Sequence, residues 1–338
     1  MIILTVLLYA GICVDGLNNT RDKRIINGWN TKTGDYPWAA MMKIMIIISN
    51  DTHAMTAWGA TVISERWLLT AAHCFWDDSK HMQQKDLTLY HVNVGNPRGE
   101  DIPVPFTHRS VIQCPICILL KSILSFTPKV RKICSQFVPK TTSIRTGLHR
   151  HILSGSNGQP DEVFHLHVEK IILHPKFSGT QNYDVDYDIA LVKLTGSIPI
   201  NDRRVTVARL PDKKKGFKWP PSNVQCAISG WGCTKKNGPA QEVARAVWMR
   251  TMEKKECVKS YNIQFEWKPE MRFCAGHYKV GGATCPGDSG SGLVCKYGSQ
   301  FYIVGVLSTA AVEPEKLPSF FVRVRYFLDW INHTIRTN

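Results

Sequence analysis

Three short stretches constrain this chain more than any other feature. Each joins an apolar or glycine-rich run to one member of a base, acid and nucleophile set. Trp67–Phe75 reads WLLTAAHCF, an aliphatic strand that passes through small residues into His73. Tyr187–Leu194 reads YDIALVKL, with Asp188 opening a strand of aliphatics suited to burial. The third stretch, GGATCPGDSGSGLVC from Gly281 to Cys295, holds Ser289 in a Gly287-Asp288-Ser289-Gly290 turn. Taken singly, these residues are a core histidine, a strand-end aspartate and a turn serine. Taken as a set, they are the groups that serine-based acyl transfer requires.

A serine hydroxyl is a weak nucleophile near neutral pH, and a base must take its proton during attack. The order His73, Asp188, Ser289 is that of chymotrypsin and differs from the subtilisin and lipase orders. Other landmarks accompany it: RIINGW from Arg24, YPWAA from Tyr36, EKIILHPKF from Glu169, ISGWG from Ile228, MRFCAG from Met271 and FLDWINHTI from Phe327. On these residues the chain resembles the chymotrypsin-fold, trypsin-like serine proteases, with 97–161 outside the match. The resemblance implies an all-β fold of two packed six-stranded antiparallel β-barrels, with the site in the cleft between them. The N-terminal barrel is expected at about 38–205 and the C-terminal barrel at about 206–324. A short helix is predicted at 325–336, where Phe327, Leu328, Ile331 and Ile335 recur at helical spacing. The resemblance makes His73 the base, Asp188 the group that fixes its tautomer, and the N–H groups of Gly287 and Ser289 the oxyanion hole.

The N-terminus reads as a leader, a short propeptide and a switch. Residues 1–16 are apolar and too short for a membrane span, as expected of a secretory signal peptide, and 17–24 follow as a propeptide. The peptidase domain is then 25–338. No later run reaches the roughly 18 apolar residues that a membrane helix needs. Arg21-Asp22-Lys23-Arg24 fits a furin-like convertase or a trypsin-like activating protease. In the family, cleavage there frees an aliphatic N-terminus, here Ile25, whose ammonium pairs with the residue before the nucleophile, here Asp288. A buried ammonium is costly unless paired, so cleavage becomes coupled to ordering of the site. The propeptide lacks cysteine and Arg209 stands where two-chain relatives place a partner cysteine. The propeptide is therefore expected to leave.

The family resemblance also places the specificity pocket. Ala283 stands at its base, where trypsin-like members carry aspartate, so a charged P1 side chain has no counter-ion there. Thr284 narrows the base, Ser308 and Ala310 fall in one wall segment, and Ser319 falls in the other. A small or medium apolar P1 residue is expected, with loose preference, because a methylene discriminates by only about 1–3 kcal/mol. Self-activation at Arg24 is then disfavoured.

The chain has eleven cysteines, ten once Cys13 leaves with the leader, and secretion permits disulfides. The resemblance implies Cys226–Cys295 and Cys257–Cys274. Cys74 has lost its usual partner to Trp58, and Cys285 has lost a partner in the segment after Ser308, which predicts a free thiol or a new bridge for Cys285. Cys233 is left over. The stretch 97–161 carries Cys114, Cys117 and Cys134 and reads as a stapled loop, a disordered excursion or translated intron. A zinc reading fails on its incomplete spacing, and no metal, calcium or cofactor is expected. Ser291-Gly292 replaces the family's Gly-Pro, placing a side chain behind the nucleophile.

Charge enters last. The chain carries 42 Lys and Arg against 27 Asp and Glu, a net +15, without a nucleic-acid fold signature. The runs Lys213-Lys214-Lys215, Lys235-Lys236 and Lys254-Lys255 read as a solvated surface or as a site for heparin-like polysaccharide. Sequons at Asn18, Asn50 and Asn332 fit an extracellular glycoprotein. The expected function is a secreted serine endopeptidase acting on proteins or peptides. The alternative is a weak or inactive homologue that binds glycosaminoglycan or other anionic surfaces.

Overall fold

A computed structural model describes residues 28–338 except 50–51, 78–81, 84–86, 88–89, 96–163, 181–185, 235–237, 242, 262–267, 278–282, 286 and 312–315. Expectations for the leader, the propeptide with Arg24 and Ile25, the sequons at Asn18 and Asn50, the Lys235-Lys236 run and all of 97–161 lie outside these residues.

Among the described residues, fifteen strands appear in chain order. They are β1 (Trp29–Asn30), β2 (Ala39–Ser49), β3 (Thr52–Ser64), β4 (Trp67–Thr70), β5 (Trp76–Asp77), β6 (Met82–Gln83), β7 (Tyr90–Val94) and β8 (Phe164–Leu173). Then come β9 (Ala190–Leu194), β10 (Gln225–Gly230), β11 (Arg245–Met252), β12 (Arg272–His277), β13 (Gly292–Tyr297), β14 (Gln300–Thr309) and β15 (Ser319–Arg323). Helix α1 spans Lys254–Tyr261 and α2 spans Leu328–Thr337.

Strands β2-β3-β4-β9-β8-β7 close into one antiparallel barrel. The second sheet runs β11-β10-β13-β14-β15-β12 and closes through β11 to β12, while β1 pairs with β11 from outside. The fold is therefore two six-stranded barrels, all-β apart from its short helices. Period-two alternation fills each barrel: Met42, Trp58, Tyr90 and Val92 point into the first core, and Ile228, Met249, Phe273 and Phe321 into the second.

A third core lies between the barrels and sets the position of the site. Leu69 of β4, Ile189 and Leu191 at β9, Val294, Ile303, Val306 and Val322 from the second barrel, and Phe327 and Ile331 of the C-terminal segment form it. Strands β4 and β9 are thus buried on both faces, since Leu68, Ala190, Val192 and Leu194 belong to the first barrel's core. The runs WLLT and IALV are apolar without alternation for that reason. Their ends deliver His73 and Asp188 to the seam.

The C-terminal helix begins at Leu328, later than 325, and buries Leu328, Ile331 and Thr334. Helix α1 has no counterpart in the sequence reading. It is polar and buries only Cys257, which is bonded to Cys274 of β12, so no apolar face announces it.

Candidate active site

His73 lies in a single 3-10 turn, Ala72–Phe75, that directly follows β4. Ala71 and Ala72 are fully buried, so the chain turns without large side chains between strand and imidazole. The His73 amide donates to Asp188 Oδ1 at 2.8 Å, and His73 Nδ1 is 2.7 Å from Asp188 Oδ2. The Ser308 hydroxyl donates to the same Oδ2 at 2.7 Å. The Asp188 side chain is 0% exposed and that of His73 is 22% exposed.

This geometry decides the electrostatics. Burial alone would raise the Asp188 pKa, but the facing imidazole and the hydrogen bonds from His73 and Ser308 hold it below its ordinary value. Burial pushes the His73 pKa down. The Asp188 carboxylate, with contributions from Cys74, reverses this and holds the pKa well above its ordinary value. An ionised Asp188 accepts the proton on Nδ1, so the neutral imidazole carries its lone pair on Nε2.

Ser289 stands in a turn built on glycine. Gly287 has φ +99° and Gly290 φ +78°, both in the left-handed region. An added Cβ on Gly290 would lie 2.2 Å from Thr70 Oγ1 and 2.4 Å from the Gly59 carbonyl oxygen, so the turn presses directly on the first barrel. The Gly59 amide donates to the Ser289 carbonyl at 2.8 Å, and Thr70 Oγ1 donates to the Gly59 carbonyl at 2.8 Å. These contacts hold the turn beside the end of β4, just ahead of His73. The amides of Asp288 and Gly290 donate to Cys285 and Leu307 carbonyls. Among the described residues, those of Gly287 and Ser289 donate to none, which leaves two half-exposed N–H groups. No hydrogen bond joins Ser289 Oγ to His73 Nε2 among the described residues; the Cys74 sulfur lies 3.7 Å from that nitrogen.

Asp288 is 1% exposed and points away from the cleft. Its Oδ1 accepts the Gly232 amide at 2.7 Å and its Oδ2 accepts the Cys285 amide at 2.9 Å. An added Cβ on Gly232 would meet the carboxylate at 2.5 Å, so only glycine fits there. Burial pushes the Asp288 pKa up to about 7 against the two amide bonds. No cation faces it among the described residues.

Ala283 and Thr284 are buried, at 2% and 0% exposure. The Thr284 and Ser319 hydroxyls bond to each other at 2.7 Å, linking the two positions that the sequence reading assigned to the pocket base and wall. Ala310 is half-buried. Ser308, read as a wall residue, aims its hydroxyl at Asp188, and only the folded chain reveals that direction.

The structure bonds Cys226 to Cys295 and Cys257 to Cys274. Cys285 is not a free thiol: it is bonded to Cys233, which joins the two leftover cysteines of the sequence reading. Cys74 is free. Behind the nucleophile, Ser291 is 2% exposed and its hydroxyl has no partner among the described residues. Gly292 opens β13, where an added Cβ would lie 2.2 Å from Thr61 Oγ1; the strand is tightly packed there, not loosened.

A family named Trypsin matches residues 25–113 and 120–331. The match breaks only at 114–119, so most of 97–161, which the sequence reading placed outside the resemblance, falls within it. Chymotrypsin-like elastase family member 1 of Bos taurus is 31% identical over 204 residues, covering 60% of this chain and 73% of that protein. Its Canis lupus familiaris counterpart is 29% identical over 204 residues, with 60% and 75% covered. Transmembrane protease serine 9 of Rattus norvegicus is 25% identical over 315 residues, which are 93% of this chain but only 22% of that protein. No helix among the described residues is long and apolar enough to cross a membrane.

Proposed function

We propose that this chain, which belongs to the trypsin family of serine proteases, is a serine endopeptidase working through an acyl-enzyme. One observation carries the reading: both oxygens of a fully buried Asp188 are held by His73 and Ser308, and the carboxylate engages only Nδ1 of the imidazole. A carboxylate spent in this way fixes an imidazole tautomer, and Nε2, the nitrogen it does not engage, is the one a serine proton needs.

In the proposed reaction, Ser289 Oγ attacks the scissile carbonyl carbon while its proton passes to His73 Nε2. The carbonyl electron pair moves to oxygen, and the otherwise unused amides of Gly287 and Ser289 receive the oxyanion. Collapse expels the amine, which takes the proton from His73. Water then repeats the sequence on the acyl-enzyme. Asp188 stabilises the imidazolium throughout and stays ionised.

Activation by cleavage after Arg24 draws support from Asp288. A buried carboxylate without a cation is a poor resting arrangement, and the Ile25 ammonium would supply the missing charge. The P1 preference for small or medium apolar residues rests on Ala283 and on the Thr284–Ser319 bond, which engages both hydroxyls with each other. Three disulfides fit a secreted enzyme with a signal peptide at 1–16.

A fluorophosphonate probe applied to the chain cleaved after Arg24 tests the activity. Labelling that disappears in Ser289→Ala is the expected outcome. A folded, Ile25-terminated protein that takes no label would overturn the reading and leave binding of polyanions as the function.

A further inference from the structure

Among the described residues, Cys74 has no sulfur partner. Trp58 of β3 stands where family resemblance would place one, buried at 5% exposure and edge-on to Phe75 with ring centroids 5.4 Å apart. Cys74 is half-buried and packs against both the first barrel's core, to which Trp58 belongs, and the core between the barrels. Its sulfur is 3.7 Å from His73 Nε2, the only nitrogen of that ring that Asp188 does not engage.

We propose that Cys74 is a positioning residue that restrains its neighbour His73 by competing with Ser289 for Nε2. The inference rests on the catalytic reading above. Cys74 donates S–H toward Nε2 across 3.7 Å and occupies the lone pair that the serine proton requires. The base is withheld until substrate draws Ser289 and His73 together. The missing Ser289–His73 hydrogen bond is what such competition produces. The charged and polar groups facing the imidazole are Asp188, with Ser308 behind it, and Cys74 itself. The chain thus carries a brake on its own base that a paired cysteine could not supply.

The test compares Cys74→Ala, Cys74→Val and Cys74→Ser in the chain cleaved after Arg24, using fluorophosphonate labelling rate and the pH profile of kcat/KM on an apolar-P1 peptide. Ala and Val remove the donor, and Val keeps most of the volume. Both are expected to label roughly two- to tenfold faster than wild type, the range of one hydrogen bond. Both should also move the acid limb to lower pH, because Cys74 no longer contributes to raising the His73 pKa. Ser retains a donor and should stay near the wild-type rate. Circular dichroism melts confirm that each variant is folded. Equal rates and an unmoved acid limb in both Ala and Val overturn the brake. A gain restricted to one of them does the same, since it follows packing and not the donor. Absence of label in every variant and in wild type overturns the catalytic reading instead, so the two failures are told apart.

Discussion

At the scale of single residues, the seam between the barrels concentrates polar groups where apolar ones dominate. Asp188, Asp288, Thr284, Ser308 and Ser319 all have exposures of 6% or less. Buried polar groups are costly unless bonded, and here each has a partner: Asp188 bonds His73 and Ser308, Asp288 accepts from Gly232 and Cys285, and Thr284 meets Ser319. In the proposed pocket, Ala283 puts a methyl group where a basic substrate would need a carboxylate. Ala283→Asp is expected to redirect cleavage toward Arg and Lys and to cut cleavage after Leu or Ala by at least tenfold. A positional-scanning peptide library read by mass spectrometry checks this. An unchanged P1 profile would remove Ala283 from the pocket. The residue identities were legible from the sequence, because motif spacing announces them. Hydroxyl directions were not, since Ser308 and Thr284 each have several rotamers and the packed neighbours choose among them.

At the scale of elements, glycines and strand ends do the positioning. The turn Gly287–Ser291 approaches β3 and β4 so closely that Gly290→Ala would drive its methyl into Thr70 and the Gly59 carbonyl while straining φ +78°. We expect a loss of about 2 kcal/mol or more. Ser291→Ala has the opposite sign, because it deletes a buried hydroxyl with no partner among the described residues. A gain of about 1 kcal/mol follows from removing an unsatisfied group. Urea unfolding of the two variants reads both signs, and a destabilised Ser291→Ala would mean that the hydroxyl has a partner after all. Strands β4 and β9 were legible as unbroken apolar runs. Helix α1 was not, because its eight residues bury only Cys257 and are held by a disulfide and an Arg250–Glu256 ion pair.

At the scale of the molecule, the buried Asp288 carboxylate ties folding to pH and, under the proposed activation, to cleavage. Its pKa is raised to about 7 from an ordinary value near 3.8, so between those values the folded chain binds a proton that the unfolded chain has released. Stability from this group is therefore greatest below pH 3.8 and falls as pH rises through 7. The size is on the order of 3–4 kcal/mol. In a Ser289→Ala background that prevents self-cleavage, the uncleaved chain should lose this stability between pH 4 and 7.5, and Asp288→Asn should flatten the slope. After cleavage, a paired ammonium reverses the cause of the shift and the slope should fade. An identical pH dependence in the aspartate and asparagine forms, measured by urea unfolding, would dismiss Asp288 as the linked group.

By itself, the sequence carried the family resemblance that implied the two-barrel class, the apolar runs that became β4 and β9, and the candidate set His73, Asp188 and Ser289. Motif order and apolar runs are local properties that a chain carries before it folds. Only the tertiary structure decided that Cys285 bonds to Cys233, that Ser308 turns to Asp188, that Thr284 meets Ser319 and that the Cys74 sulfur faces His73 Nε2. The reason is physical: eleven cysteines allow many pairings and each side chain several rotamers. Which pair meets depends on how two barrels pack, a distance that no stretch of sequence contains.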